Sequence, residues 1–351
     1  MPAAYPPGMK SFFRRCCALL CLGALPGLAQ LPPPATPPPV APLPASAFLG
    51  WTNAYVLRND RVEAVLVPAV GRLVHFGPVD GASPLRLDPA LQGKIPAADE
   101  PFFNVGGDWL WPVAQARWGA MSAGGKDWPP PPPLADLPWT CSAWTDAEGA
   151  PCALLARDYG PPVNATVSRL FRLAPDSAAL VVRQRIERTG SAGLPVVLWN
   201  ISQIARAEHI VLPVEKKNRA RGGFKVLMGR APGRRRLQRC GDAVVYRVGP
   251  GAETKLGSDS PRGWIAAARG TNLVVESAAT AATGEYPDGG SRVEVYSNEG
   301  LGYSEIETLS PELDLAPGTI LENTLRIELA TTPTPLAACP LAATIRALAG
   351  P

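Results

Sequence analysis

From Leu49 to Ala330 the chain repeats one pattern: short runs of alternating apolar and polar residues, cut by turn-forming residues. RVEAVLV (Arg61 to Val67) follows Asn59-Asp60, and GRLVHFG (Gly71 to Gly77) follows Pro68. VSRLFRL (Val167 to Leu173) and ALVVRQRIERT (Ala179 to Thr189) flank the turn APDS, and RVEVYSN, YSEIETL and ILENTLRIEL continue the series. A period of two is that of a strand with one buried face, whereas a helix would repeat its apolar residues every three or four positions. Hardly any segment before Pro333 has helical spacing; LAACPLAATIRALAG in the tail can form one short helix over the end of a sheet. The 41 prolines and 34 glycines suit many strands joined by turns. The pattern predicts an all-β chain with one large domain over residues 48–330, its strands paired as meanders in stacked sheets, followed by a tail over 331–351.

The N-terminal end reads differently. Lys10, Arg14 and Arg15 precede an apolar run from Cys16 to Leu25, and Gly27-Leu28-Ala29 supplies small residues for cleavage. Residues 1–29 are therefore expected to be a secretory signal, with Met9 the more natural start. Residues 30–47, carrying LPPPATPPPVAPLPAS, form a proline-rich linker. The mature chain is expected to be exported, periplasmic or secreted, without a membrane span, and monomeric. Four cysteines remain after the signal: Cys141, Cys152, Cys240 and Cys339. An even number in an oxidising compartment permits disulfides. A Cys141–Cys152 bridge across a hairpin, a Cys240–Cys339 bridge and free buried thiols all remain open. With only His75 and His209 and no paired-cysteine motif, neither a metal nor a cofactor is expected.

Six of the nine tryptophans lie between Trp109 and Trp144. NVGGDWLWPVAQARWG (Asn104 to Gly119) and KDWPPPPPLADLPW (Lys126 to Trp139) interleave them with polar groups. Indole faces can cover the apolar face of a pyranose while carboxylates, amides and guanidinium groups bind its hydroxyls. Asp108, Trp109, Trp111, Gln115, Arg117, Trp118, Asp127 and Trp128 are therefore the candidate sugar-binding residues. Gly106 and Gly107 would allow close backbone approach, and the prolines would stiffen the loop. The competing reading is that the tryptophans pack a long loop onto the sheet.

In YSEIETLSP (Tyr303 to Pro311) an extended backbone places Tyr303, Glu305 and Glu307 on one face, the two glutamates roughly 6.5–7 Å apart. Their repulsion in a cleft would raise one pKa and provide an acid–base resource. On a solvated strand face they would do nothing of the kind. In LWNISQI, Trp199, Ile201 and Gln203 share a face and Asn200 and Ser202 the other. From Glu215 to Arg239 there are ten Lys/Arg and one acid, a local charge of +9. Such a stretch is either a solvated loop or a surface attracting an acidic glycan; an exported chain gives no reason to expect nucleic acid.

The segments GGDWLWPVAQARWG, DWPPPPPLADLPW and IETLSPELDLAPGTILENTLRIEL together resemble the galactose mutarotase-like (aldose 1-epimerase) superfamily, and within it a mostly bacterial group. The resemblance covers about Leu49 to Leu329. It implies a β-supersandwich whose broad sheet cups a sugar, and a carboxylate base that takes the anomeric proton during ring opening. Glu307, in Ile306-Glu307-Thr308 ahead of Leu315-Ala316-Pro317-Gly318, matches the position of that base. The family's acid histidine has no counterpart in Leu198–Gln203, so His209 would have to fold back to replace it. Gly107-Asp108-Trp109 stands where the family keeps a hydroxyl-reading histidine. The resemblance thus implies a carbohydrate-binding protein, with an epimerase-like isomerase resting on Glu307 and His209, Glu305 binding substrate. A non-catalytic envelope glycan-binding or interaction protein using the basic 215–239 loop is the alternative.

Overall fold

The computed structural model describes residues 41–97, 102–122, 124–134, 136–215, 222–251, 253–279, 281 and 284–350. The expected signal segment and most of the linker lie outside the described residues. Between them, the described strands build two antiparallel sheets. The eleven-stranded sheet runs in spatial order Ala41–Pro42, Thr140–Thr145, Pro151–Asp158, Ala165–Leu173, Ala179–Arg188, Ile320–Thr331, Asn272–Ala278, Trp264–Arg269, His209–Pro213, Ala243–Arg247 and Leu237–Cys240. The ten-stranded sheet runs Lys225–Gly229, Thr254–Ser258, Val293–Ser297, Tyr303–Leu309, Trp199–Ala205, Asp108–Trp111, Arg72–Pro78, Val62–Val67, Trp51–Arg58 and Ser46–Phe48. This is the all-β sandwich that the alternation predicts.

Alternation survives where one strand face meets solvent and disappears where both are covered. Ala165–Leu173 and Ala179–Arg188 bury every second residue, placing Val167, Phe171, Leu180, Val182 and Ile186 between the sheets. Trp199–Ala205 and Asp108–Trp111, by contrast, are buried on both faces. The ten-stranded sheet therefore carries a second cover, built from the tryptophan-bearing loops.

The tail folds into the helix Ala338–Ala349. Its Leu341, Ala342 and Ile345 pack on Val211, Val245, Ala266, Leu273 and Val275, the outer side of the eleven-stranded sheet. A disulfide between Cys240 and Cys339 ties the start of this helix to the edge strand beneath it. Cys141 and Cys152 are free. In their hairpin Cys141 lies opposite Leu155 and Cys152 opposite Trp144, so the register sets them three pairs apart and forbids a bridge. Among the described residues no helix is long and apolar enough to cross a membrane.

Candidate functional site

Strand register decides which side chains can meet. Trp199 pairs with Leu309 and Trp111, Ile201 with Glu307 and Trp109, and Gln203 with Glu305. Period-two alternation therefore puts Trp109, Trp111, Trp199, Gln203, Tyr303, Glu305 and Glu307 on the outer face of the ten-stranded sheet. Asp108, Asn200 and Ser202 take the opposite parity and point toward the eleven-stranded sheet.

Asp108 is consequently not beside the tryptophans that flank it in sequence. It is fully buried and accepts hydrogen bonds from Arg169 Nη2 at 2.6 Å, Asn200 Nδ2 at 2.7 Å and Ser202 Oγ at 2.9 Å. Gln184 Nε2 and Arg169 Nη2 both donate to Asn200 Oδ1, at 2.7 and 2.8 Å. Glu276 lies in the same layer, also fully buried. Burial, reinforced by the Asp108 charge, pushes its carboxyl up to about 8. The expectation that Asp108 reads a sugar hydroxyl is corrected: its carboxylate neutralises a buried arginine between the sheets. Gly106 and Gly107, at φ of 95° and 83°, do serve close approach, but to protein. A Cβ on Gly106 would lie 2.0 Å from the Arg86 carbonyl oxygen, and one on Gly107 would lie 2.5 Å from that of Leu73.

On the outer face Glu307 is 1% exposed. Its carboxylate accepts from Trp199 Nε1 at 2.7 Å and pairs with Lys255 Nζ at 3.0 Å. Lys255 also pairs with Glu294 at 2.7 Å, so one buried ammonium bridges two buried carboxylates. Burial works against the Lys255 charge, yet Glu294 and Glu307 outweigh it and raise its pKa. Burial likewise raises the Glu294 carboxyl, with Lys255 opposing. Nothing in the sequence around Lys255 marks it; only the pairing of Thr254–Ser258 with Val293–Ser297 brings it here.

Two residues along the strand, Glu305 is only partly covered and accepts from Gln203 Nε2 at 2.9 Å. Burial, then the charge of Glu307, pushes its carboxyl up to about 7. Tyr296 stands opposite it in register and donates its hydroxyl to Glu253 at 2.7 Å. Tyr303 accepts from Asn104 Nδ2 at 3.0 Å, with the Arg86 guanidinium 4.9 Å from its ring centre. Arg86 in turn donates to the Asn104 carbonyl at 2.7 Å, Gln203 Oε1 at 3.1 Å and Asp88 at 2.8 Å. This end of the face offers a carboxyl, a phenol, two amides and a guanidinium within one network, with the Tyr296 phenol, bonded to Glu253, on the neighbouring strand. Sequence reasoning missed Arg86, Asn104 and Tyr296, whose segments reach the network only through the fold.

The tryptophans form a layered stack over the remainder of the face. Trp111 meets Trp109, Trp118 and Trp199 edge-on at ring-centre distances of 5.4, 4.8 and 5.1 Å. Trp118, which is fully buried, has Trp128 stacked beyond it at 6.1 Å, and Phe102 meets Trp128 at 5.0 Å. Trp109 and Trp111 are 3% and 6% exposed, whereas Trp128 is 51% exposed. The Arg72 guanidinium lies 4.0 Å over Trp109 and pairs with Asp136 at 2.7 Å. Of the residues proposed to hold a sugar, Trp109, Trp111 and Trp118 are thus packing residues, and Trp128 presents an open indole. Beside it Gln115 Nε2 donates to the Asp127 carbonyl at 3.3 Å, Asp127 itself is exposed, and Arg117 makes a two-pronged ion pair with Glu312 at 3.0 Å.

His209 begins a strand of the other sheet, paired with Arg247 and Ala268. The ten-stranded sheet stands between its ring and the Glu307 carboxylate, so the expected acid–base partnership of these two residues is corrected. His75 instead faces Glu63 at 3.6 Å, and burial lowers its pKa. Of the basic stretch, residues 216–221 lie outside the described residues; Arg236 is turned onto the Gly249 and Pro250 carbonyls and Arg239 onto those of Gly222 and Gly241, while Arg230, Arg234 and Arg235 are exposed. Among the described residues no group of three or more His, Cys, Asp or Glu is placed to hold a metal ion.

No protein-family model matches the chain, and no curated protein does. Solved structures do, and they are similar to it in fold. Galactose 1-epimerase of Lactobacillus acidophilus NCFM superposes with a TM-score of 0.50 at 11% identity, over 79% of this chain and 94% of that one. A TPR-domain containing protein of Parabacteroides distasonis ATCC 8503 superposes with a TM-score of 0.53 at 13% identity, over 86% of this chain and 54% of that one. At such identities the likeness fixes the fold: this chain is a galactose mutarotase-like β-supersandwich.

Proposed function

We propose that the protein is an exported carbohydrate-binding member of the mutarotase-like class, holding a sugar at the Glu305 end of the outer sheet face. The observation that carries the reading is the partly open Glu305 carboxyl, raised to about 7 and surrounded by Gln203, Tyr303, Tyr296, Asn104 and Arg86. Convergent acceptors and donors beside aromatic rings are what a polyhydroxylated ring requires. Trp128 supplies a second exposed aromatic surface, with Asp127 and Gln115 at its side. Export is supported by the Cys240–Cys339 bridge, which persists in oxidising compartments.

Binding is favoured over epimerisation because Glu307 is enclosed by Lys255 and Trp199 and neither histidine of the chain adjoins it. Each proton-transfer partner contributes about 10²–10⁴-fold to such a reaction, and the acid partner is missing from this arrangement. Calorimetric titration with a panel of neutral and acidic monosaccharides tests the proposal. Binding should strengthen as pH rises through 7 and Glu305 ionises, and should weaken at least about tenfold in Glu305→Ala. Affinity indifferent to both pH and this substitution would refute it. Anomeric interconversion accelerated by the wild type and lost in Glu307→Gln would restore the epimerase reading.

A further inference from the structure

At one open end of the sandwich, away from the tryptophan layer, lies a cavity of about 280 Å³ between the two sheets. Ser297 and Ser304, paired across neighbouring strands, form its floor from the ten-stranded sheet; Arg206, Asn298 and the Val248–Gly251 turn form its rim. The Ser304 hydroxyl is fully buried and has no hydrogen-bond partner among the described residues. The neighbouring Ser297 Oγ is already engaged by the Tyr246 hydroxyl at 2.8 Å. Buried hydroxyls in proteins are nearly always bonded, so an orphan at the floor of a cavity is a place where a ligand atom belongs.

The rim carries charge. Arg206 is exposed, and its guanidinium has no acidic or carbonyl partner among the described residues. It sits at φ 49°, a left-handed conformation that a non-glycine residue adopts only when its surroundings impose it. An adjoining cavity of about 320 Å³ shares Ala207, Val248 and Gly249 and carries Arg247, likewise unpaired, with His209 and Glu208. Glu208 is committed to the Gly270 amide at 3.0 Å. Arg236 fixes the shared turn by donating to the Gly249 and Pro250 carbonyls. The result is a small rigid recess with a hydroxyl floor and unbalanced positive charge at its mouth.

We propose that this recess binds a sugar acid of monosaccharide size, its carboxylate at Arg206 and a hydroxyl at Ser304. The volume lies just below the usual range of ligand pockets, about 300–1,000 Å³, which suits one ring and excludes a longer glycan. Tyr303, whose hydroxyl joins the Glu305 network, also lines the recess, so the two sites adjoin at this end of the sheet while their polar groups differ. Ser304 and Glu305 are adjacent on one strand, so they project from opposite sides of the sheet.

Calorimetric titration of the full chain with glucuronate, and with glucose as the uncharged comparison, tests the proposal. Arg206→Gly is the informative variant, because glycine accepts the left-handed backbone and the fold is retained. Glucuronate should bind in preference to glucose, lose about tenfold or more in affinity in Arg206→Gly, and lose a few-fold in Ser304→Ala. Raised salt should weaken it. Absence of glucuronate binding, equal binding of glucose, or unchanged affinity in Arg206→Gly would overturn the assignment. So would loss of binding in Glu305→Gln with retention in Arg206→Gly, which would place the ligand on the outer face.

Discussion

Replacing Asp108 by Ala removes the counter-charge of Arg169, which is fully buried. Breaking a buried ion pair from one side costs about 3–5 kcal/mol. Glu276 moderates this cost. In the intact protein burial and Asp108 hold it neutral at pH 7, its pKa near 8; without Asp108 the Arg169 charge favours its ionised form. Asp108→Ala alone should therefore cost about 3 kcal/mol, the lower end of that range. Glu276→Gln exchanges one neutral buried group for another and should cost less than about 1 kcal/mol. The double variant leaves Arg169 without any carboxylate and should exceed the sum of the two by about 1–2 kcal/mol. The pH dependence supplies an independent signature. A carboxyl raised from 4.5 to about 8 retains in the folded state a proton that the unfolded chain releases. Its contribution is complete below about 4.5 and lost as pH rises toward 8, about 3–5 kcal/mol at 1.36 kcal/mol per unit. That loss should be shallower in Asp108→Ala; Glu294 and Glu305, also raised, cancel in the comparison between variants. Urea denaturation of the four proteins from pH 5 to 8.5 measures both quantities. Strict additivity, together with parallel pH profiles for wild type and Asp108→Ala, would refute the reasoning.

Lys255→Met should cost about 3–5 kcal/mol at pH 7, because Glu294 and Glu307 lose their shared cation. Part of the loss should return at pH 5 as one carboxyl takes up a proton, which thermal unfolding at both pH values would detect. Cys339→Ser opens a loop of 99 residues and should remove about 2–4 kcal/mol. Hydrogen exchange should then accelerate first in Ala338–Ala349. Trp118→Ala should destabilise by about 3–5 kcal/mol, as the centre of a buried stack, while Trp128→Ala should cost less than about 1 kcal/mol. Equal melting temperatures for these two variants would contradict the layered arrangement.

The strands were legible because their outward faces meet water, and water writes an alternating pattern into sequence. Arg61–Val67 and Ala179–Thr189 read directly, and so did the shared face of Glu305 and Glu307. The segment Asp108–Trp111 could not be read in this way, since both its faces are covered and no alternation survives. Sequence neighbourhood therefore groups Asp108 with its flanking tryptophans, although strand parity separates them. One signal did exist: Arg169 falls in phase with Val167 and Phe171 in VSRLFRL, a charge in an inward position that requires a buried partner. Lys255 gave no such signal, because its partners lie about 40 and 50 residues onward and only strand pairing unites them. The distance between His209 and Glu307 belongs to the same class. They lie on strands far apart along the chain, and those strands belong to different sheets.

The two sheets are covered on their outer sides in unlike ways. Over the eleven-stranded sheet the helix Ala338–Ala349 is stapled by a covalent bond. Over the ten-stranded sheet the layer built on Trp111, Trp118 and Trp128 is held by ring contacts and ordinary packing. Local opening follows the weakest attachment. The helical cover is thus a permanent wall for as long as the thiols stay oxidised, while the aromatic cover is the side on which the fold can breathe. Trp199, which touches both Trp111 and Trp118, carries that aromatic layer to the Lys255-bound Glu307 carboxylate.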